Sequence, residues 1–163
     1  MKRGFMRTIT FNDALTLKCP DAFEEMSSTE LKQVFKDDNP DRKGFWNKEE
    51  HVIMAVLWHT TNKLMVTLFG KPKGIAESNE ARLRKIIGPH GYHLEGFFET
   101  TIADKKAYGF SYIYNVGDIK QYCKTVTVFN NITCYNIYFY GRTENRENDE
   151  AMISEILNSA QFN

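Results

Sequence analysis

The tightest grouping of metal-ligand residue types is His90-Gly91-Tyr92-His93-Leu94-Glu95, two imidazoles and a carboxylate within six residues. Zinc takes three or four N, S or O ligands at about 2.0–2.3 Å, so a metal would be sought here first. On a strand His93 and Glu95 would share one face, but no further His or Cys is assignable as a fourth ligand. Gly88-Pro89 stands just before the group, and an ordinary turn is the better reading. His51 and His59 bracket an apolar run, with His59 directly after Trp58. A general base needs a positioned partner, and neither a Gly-x-Ser-x-Gly elbow nor a cysteine in a catalytic setting is present. Gly70-Lys71-Pro72-Lys73-Gly74 lacks the spacing of a phosphate-binding loop, and Pro72 removes one of the amides such a loop aims at its anion; it reads as a flexible connector. We therefore expect no catalytic residue, no metal and no cofactor, and a protein that is not an enzyme.

The three cysteines, Cys19, Cys123 and Cys134, include no Cys-x-x-Cys and cannot all pair. With Asn130-Asn131 as a two-residue turn, Cys134 faces Thr127, four residues along the strand from Cys123. That offset is about 13 Å at ~3.3 Å per residue, too long for a disulfide. All three read as small buried side chains.

Lys plus Arg and Asp plus Glu both number 21, and the pI is about 6.9. Nucleic-acid binders carry a basic excess because phosphate neutralisation supplies most of their affinity, so no nucleic-acid partner is expected. Leu, Ile, Val and Phe make up about a quarter of the 163 residues, well above the range of disordered chains. A chain of this length suits one domain, 1–163, with an ordered core over about 7–162. The basic start Met1–Arg7 is followed by no apolar run of signal-peptide length, and no segment is long and apolar enough to span a bilayer. A cytoplasmic protein is the expectation, with Met6 an alternative start.

The elements that would position these residues follow from periodicity. β-Prone runs flank Asn12-Asp13 as a hairpin, and Pro20 ends the second strand. Ser27-Ser28-Thr29-Glu30 is a capping box for a short amphipathic helix over 28–36. Residues 36–50 carry nine charges with Pro40 and Gly44 and read as a solvated loop. Val52–Trp58 reads as a central strand buried on both faces. Residues 60–70 fit either a return strand or a short helix capped by Thr60 or Thr61; we favour the helix. A second helix runs over 78–87 from Ser78. Four strands follow at roughly 93–102, 106–115, 121–129 and 132–140. In the last pair Val126, Val128, Tyr135, Ile137 and Phe139 alternate towards the core. Asn148 or Asp149 then caps a final helix whose inward face is Met152, Ile153, Ile156, Leu157 and Ala160. Runs of antiparallel strands with helices at both ends imply an α+β fold: a sheet of about six to seven strands, helices on its faces, and the C-terminal helix closing the core.

This order resembles the PsbP-like family, which includes the photosystem II extrinsic subunit, a Ran-binding nuclear import factor and many small bacterial proteins. The residues that carry the likeness are Leu17-Lys18-Cys19-Pro20 with Phe23-Glu24-Glu25, the strand Ala107-Tyr108-Gly109-Phe110-Ser111-Tyr112, and the ending Ile156-Leu157-Asn158-Ser159-Ala160-Gln161-Phe162. The charged loop at 36–50 departs from the family pattern. The resemblance implies docking and assembly roles rather than catalysis, and it names no particular partner.

All eight tyrosines lie between Tyr92 and Tyr140. Tyrosine suits interfaces, bringing large area at little entropy cost, and it equally suits a sheet face half covered by a helix. We take Tyr112, Tyr114, Tyr138 and Tyr140 as the candidate interaction surface. The expected function is protein binding or assembly through one face or edge of the sheet, with weak homo-oligomerisation compatible with it. The alternative is a carrier holding a small apolar ligand between sheet and helices. Adding zinc to the purified protein is expected to leave its thermal midpoint unchanged; a zinc-dependent rise would establish a metal site around His90, His93 and Glu95.

Overall fold

The computed structural model describes residues 4–163; the first three residues of the basic start lie outside the described residues. Asn12 and Asp13 both adopt φ of 53°, which turns the chain tightly between β1 (Met6–Phe11) and β2 (Leu15–Pro20). A two-residue strand β3 (Glu24–Glu25) precedes α1 (Ser28–Phe35). The capping box forms as expected: Glu30 N–H donates to Ser27 Oγ, Ser27 N–H donates to the Glu30 carboxylate, both at 3.1 Å.

The charged segment 36–50 is not all loop, because it contains β4 (Arg42–Asn47). Its charges sit at the ends, while Gly44, Phe45 and Asn47 are buried. A Cβ on Gly44 would stand 2.9 Å from Leu31 Cδ2 and 3.0 Å from Met26 Sδ, so the glycine lets α1 rest directly on the strand. What reads in sequence as a loop marker is a packing requirement. β5 (Val52–Thr60) follows and is interior to the sheet, flanked by β4 and β9 (Thr133–Arg142). The ambiguous residues form a helix, α2 (Lys63–Phe69), but Asn62 caps it, its Oδ1 accepting from Met65 N–H at 3.0 Å. α3 (Pro72–Ile87) begins six residues before Ser78. Proline fits the first helical turn, where its missing N–H has no intrahelical partner to lose. Residues 72–74 are therefore helix and not a flexible connector.

β6 (His93–Ile102), β7 (Lys105–Val116), β8 (Ile119–Asn130) and β9 run as consecutive antiparallel hairpins. The last turn lies one residue later than expected, at Asn131-Ile132, so Asn130 pairs with Thr133. That moves each partner by two positions, which preserves the faces: Val126, Val128, Tyr135, Ile137 and Phe139 do point into the core. Cys134 faces Phe129 rather than Thr127, further still from Cys123. α4 (Arg146–Asn158) starts before Asn148, after a short 3-10 turn. A final strand β10 (Gln161–Phe162), not expected from sequence, pairs with β2.

The fold is α+β, with a seven-stranded antiparallel sheet ordered β3-β4-β5-β9-β8-β7-β6 and a three-stranded sheet ordered β1-β2-β10. The small sheet and α4 cover the inner face, burying Phe11, Leu15, Leu17, Met54, Val56, Val126, Ile137, Phe139, Ile153 and Ile156 in one cluster. Polar contacts cross this layer too: Asn12 Nδ2 donates to Tyr135 Oη at 3.1 Å, and Tyr122 O–H donates to Asp149 Oδ2 at 2.8 Å. Burial pushes the Asp149 carboxyl up, against the pull of that hydrogen bond. Gly141 makes room for the pair, since a Cβ there would fall 2.6 Å from Tyr122 Oη. Ile153→Ala removes a fully buried side chain from the α4 contact and is expected to destabilise the protein by about 2–5 kcal/mol, read from denaturant unfolding.

Candidate functional site

The outer face of the large sheet is only partly covered. α1 lies over β4, and Phe35 from its last turn meets Tyr140 with ring centroids 6.1 Å apart. α3 packs over β7 and β8, where Ala76 joins Phe110, Tyr112 and Cys123 in a second buried cluster. Helix α3 is held by a buried carboxylate: Glu80 accepts from Arg84 Nε at 3.1 Å and from Tyr92 O–H at 2.8 Å. The Arg84 guanidinium keeps the Glu80 carboxyl below its ordinary value, overcoming the opposing cost of burial.

Between α1 and α3 the sheet is left open as a trough over β5 and β9. Two adjoining concavities of about 360 and 510 Å³ make it up and share Asn39, Leu57, Asn79 and Arg82. One end carries Phe35, Asp37, Arg42, Leu83, Phe110, Tyr138 and Tyr140. The other carries Trp58, His59, Met65, Val66, Phe69, Ile75, Phe129, Cys134 and Asn136. Tyr138 and Tyr140 lie nearly parallel, with centroids 6.3 Å apart at 18°. Burial pushes the Tyr138 hydroxyl up to about 12, so it remains a neutral donor.

The floor is polar as well as aromatic. Asn136, 8% exposed, accepts at Oδ1 from Thr127 Oγ1 at 2.6 Å and from Asn79 Nδ2 at 3.3 Å. Thr125 sits between Phe110 and Tyr138 in the strand register, and its hydroxyl finds no partner among the described residues. The rim carries both charges. Arg42 lies 4.3 Å over the Phe35 ring and binds Asp37, whose carboxyl it holds below its ordinary value. Arg82 donates to Asn79 Oδ1 at 2.8 Å. Aromatic floor, amide floor and a rim of mixed charge suit recognition of a polar chain with apolar side groups.

Of the four candidate tyrosines, Tyr138 and Tyr140 line the trough, and Tyr114 is half-buried with its hydroxyl donating to Gln121 Oε1 at 3.1 Å. Tyr112 is 2% exposed, inside an aromatic ladder with Tyr92, Phe110 and Tyr114, and so lies beneath α3 rather than at a surface. His90 and His93 are exposed, and Glu95 is taken by Arg146 at 2.6 Å. A bulge between Leu94 and Gly96 leaves Glu95 without a partner on β7. Glu95 stays on the side of His93 as expected, and the Arg146 guanidinium first, with a smaller contribution from His93, holds its carboxyl below its ordinary value. His51 is exposed in a turn at φ 59°, and His59 lines the trough at the end of β5. Cys19, Cys123 and Cys134 are buried free thiols, with burial pushing Cys123 and Cys134 up to about 12. Sequence reasoning missed Phe35, Arg42, Asn79 and Arg82, which come together only through the placement of α1 and α3 beside β4; the legible signal was Tyr138 and Tyr140, and the alternation that points them outward also puts Thr125, Thr127 and Asn136 on that face.

The coordinates resemble the solution structure of the cyanobacterial PsbP protein CyanoP from Synechocystis sp. PCC 6803, with a TM-score of 0.74 and 10% identity over 100% of this chain and 95% of that one. A protein of Bacteroides thetaiotaomicron gives a TM-score of 0.59 at 9% identity, over 99% of this chain and 49% of that one. LpqN of Mycobacterium tuberculosis, a protein involved in cell envelope biogenesis, gives 0.53 at 12% identity, over 97% of this chain and 90% of that one. No protein-family model and no curated protein matches the sequence. The fold is PsbP-like.

Glu80→Gln is expected to lower stability by about 1 kcal/mol at neutral pH, weakening the anchor of α3. The native carboxyl sits below its unfolded value, so its contribution is present above the usual carboxylate range and lost as pH falls through the folded value. Thermal midpoints of the two proteins are thus expected to converge on acidification.

Proposed function

We propose that this protein is a non-catalytic interaction or assembly module whose docking face is the trough between α1 and α3. The observation that carries the reading is the uncovered stretch of β5 and β9, where Tyr138, Tyr140 and Leu57 are flanked by Arg42 and Arg82. Aromatic and arginine side chains around an apolar floor are the composition that dominates protein interfaces. The likeness to CyanoP agrees with a role of this kind, as a matter of fold alone. A cytoplasmic setting suits the three unpaired buried cysteines, which stay reduced there.

The second reading is the small-ligand carrier. A volume of about 510 Å³ beside Trp58, Val66, Phe69 and Ile75 falls within the range of ligand sites. Against it, both concavities open to solvent and carry amides and charges, whereas an apolar cargo favours an enclosed apolar wall. The test is affinity purification from native cells of the wild-type chain beside Arg82→Glu and Tyr138→Ala, each first shown to keep its melting temperature. The expected result is a stoichiometric protein partner recovered with the wild type and depleted at least about tenfold by either change. Recovery of a stoichiometric small ligand without protein would establish the carrier.

A further inference from the structure

Helix α2 is the least buried apolar element of the molecule. Leu64, Met65, Leu68 and Phe69 are 66, 42, 60 and 62% exposed, and the helix buries no residue completely. Leu64 stacks with Leu68 and Met65 with Phe69 at i,i+4 spacing, so the four form a continuous patch and not scattered surface residues. Val66 is the half-buried side chain that keeps the helix on the protein, at the end of the trough.

The charge around this patch is one-sided. From His51 to Ala76 the chain holds no Asp or Glu and three lysines, in a protein whose charges over the whole chain balance at 21 each. Lys63 opens α2 and Lys71 follows its last turn, both exposed, while Lys73 in the first turn of α3 turns its ammonium to the Tyr108 ring on β7, 5.9 Å away. Asp41 is the one acid among the residues lining the concavity that α2 borders.

We propose that α2 with Lys63 and Lys71 is a docking surface for an anionic lipid bilayer. Leucine and phenylalanine on a short exposed helix enter the boundary between headgroups and acyl chains, and flanking ammonium groups meet lipid phosphate there. Charge selects this occupant over a second copy of the chain. A two-fold dimer through α2 would bring Lys63 and Lys71 close to the lysines of the second copy with no acid in the segment to offset them. A patch of four apolar residues and two lysines makes binding reversible and salt-sensitive rather than permanent. Met65 and Phe69 also border the trough, so the test changes Leu64 and Leu68, which line neither concavity and leave the protein-docking face as it is.

The test is co-sedimentation of the full chain with phosphatidylcholine vesicles, with and without about 30% phosphatidylglycerol. Binding is expected only to the anionic vesicles and is expected to fall sharply at about 0.5 M salt. Leu64→Glu with Leu68→Glu is expected to weaken it at least about tenfold, and Lys63→Gln with Lys71→Gln by roughly fivefold per lysine, with melting temperatures unchanged because these side chains are exposed. Equal sedimentation with neutral vesicles, no sedimentation of the wild type, or variants that bind like the wild type would each overturn the proposal. So would a concentration-dependent dimer, abolished by the leucine changes, in a protein that ignores anionic vesicles.

Discussion

Burial of the inner face of the seven-stranded sheet is the constraint on which the rest of the structure depends. Strands β5, β9 and β8 each present an apolar row to that side, and no single layer from elsewhere in the chain is wide enough to cover them. Two pieces do so together: the hairpin β1–β2 supplies Phe11, Leu15 and Leu17, and α4 supplies Met152, Ile153 and Ile156. β10 then stitches the pieces to each other, Gln161 and Phe162 pairing with Thr16 and Leu15. The last strand is thus paired with the opening hairpin, and both pieces share the cover of the inner face.

That division of labour leaves the opposite face with fewer resources. α1 and α3 each cover one flank of it, and the helix between them in sequence, α2, lies at the margin, touching the trough through Val66 and leaving Leu64 and Leu68 outward. The centre of the sheet remains open above β5 and β9. Its residues are those that tolerate partial exposure: tyrosines with a polar tip, an asparagine held by two hydrogen bonds, and arginines laid over aromatic rings. The same shortage of covering elements therefore produces both exposed features of the molecule, the trough and the helix.

The parts of the fold governed by local pattern were legible. Alternation placed the four long strands, and the inward face of the last hairpin survived a misplaced turn because the error moved partners by two residues. The capping box at Ser27 and Glu30 gave α1 to within a residue. What local pattern does not carry was missed: β4 was hidden by Arg42 and Lys43 at its start and by Gly44, which is there to admit α1, and the start of α3 by a proline that reads as a breaker anywhere but the first turn. The site was half legible for the same reason. Tyr138 and Tyr140 could be put on the outer face by parity, but whether a helix covers a given tyrosine depends on tertiary placement, so Tyr112 looked equivalent to them and is not.

Native-state hydrogen exchange of the full chain tests the central claim most directly. If both chain ends seal the core, amides of α4 and of β2 open with the same free energy as those of β8 and β9, in one cooperative unit, while α2 exchanges through much smaller openings. Exchange of α4 at a markedly lower free energy, with the large sheet still protected, would mean that the sheet holds its inner face without that helix and would contradict the account.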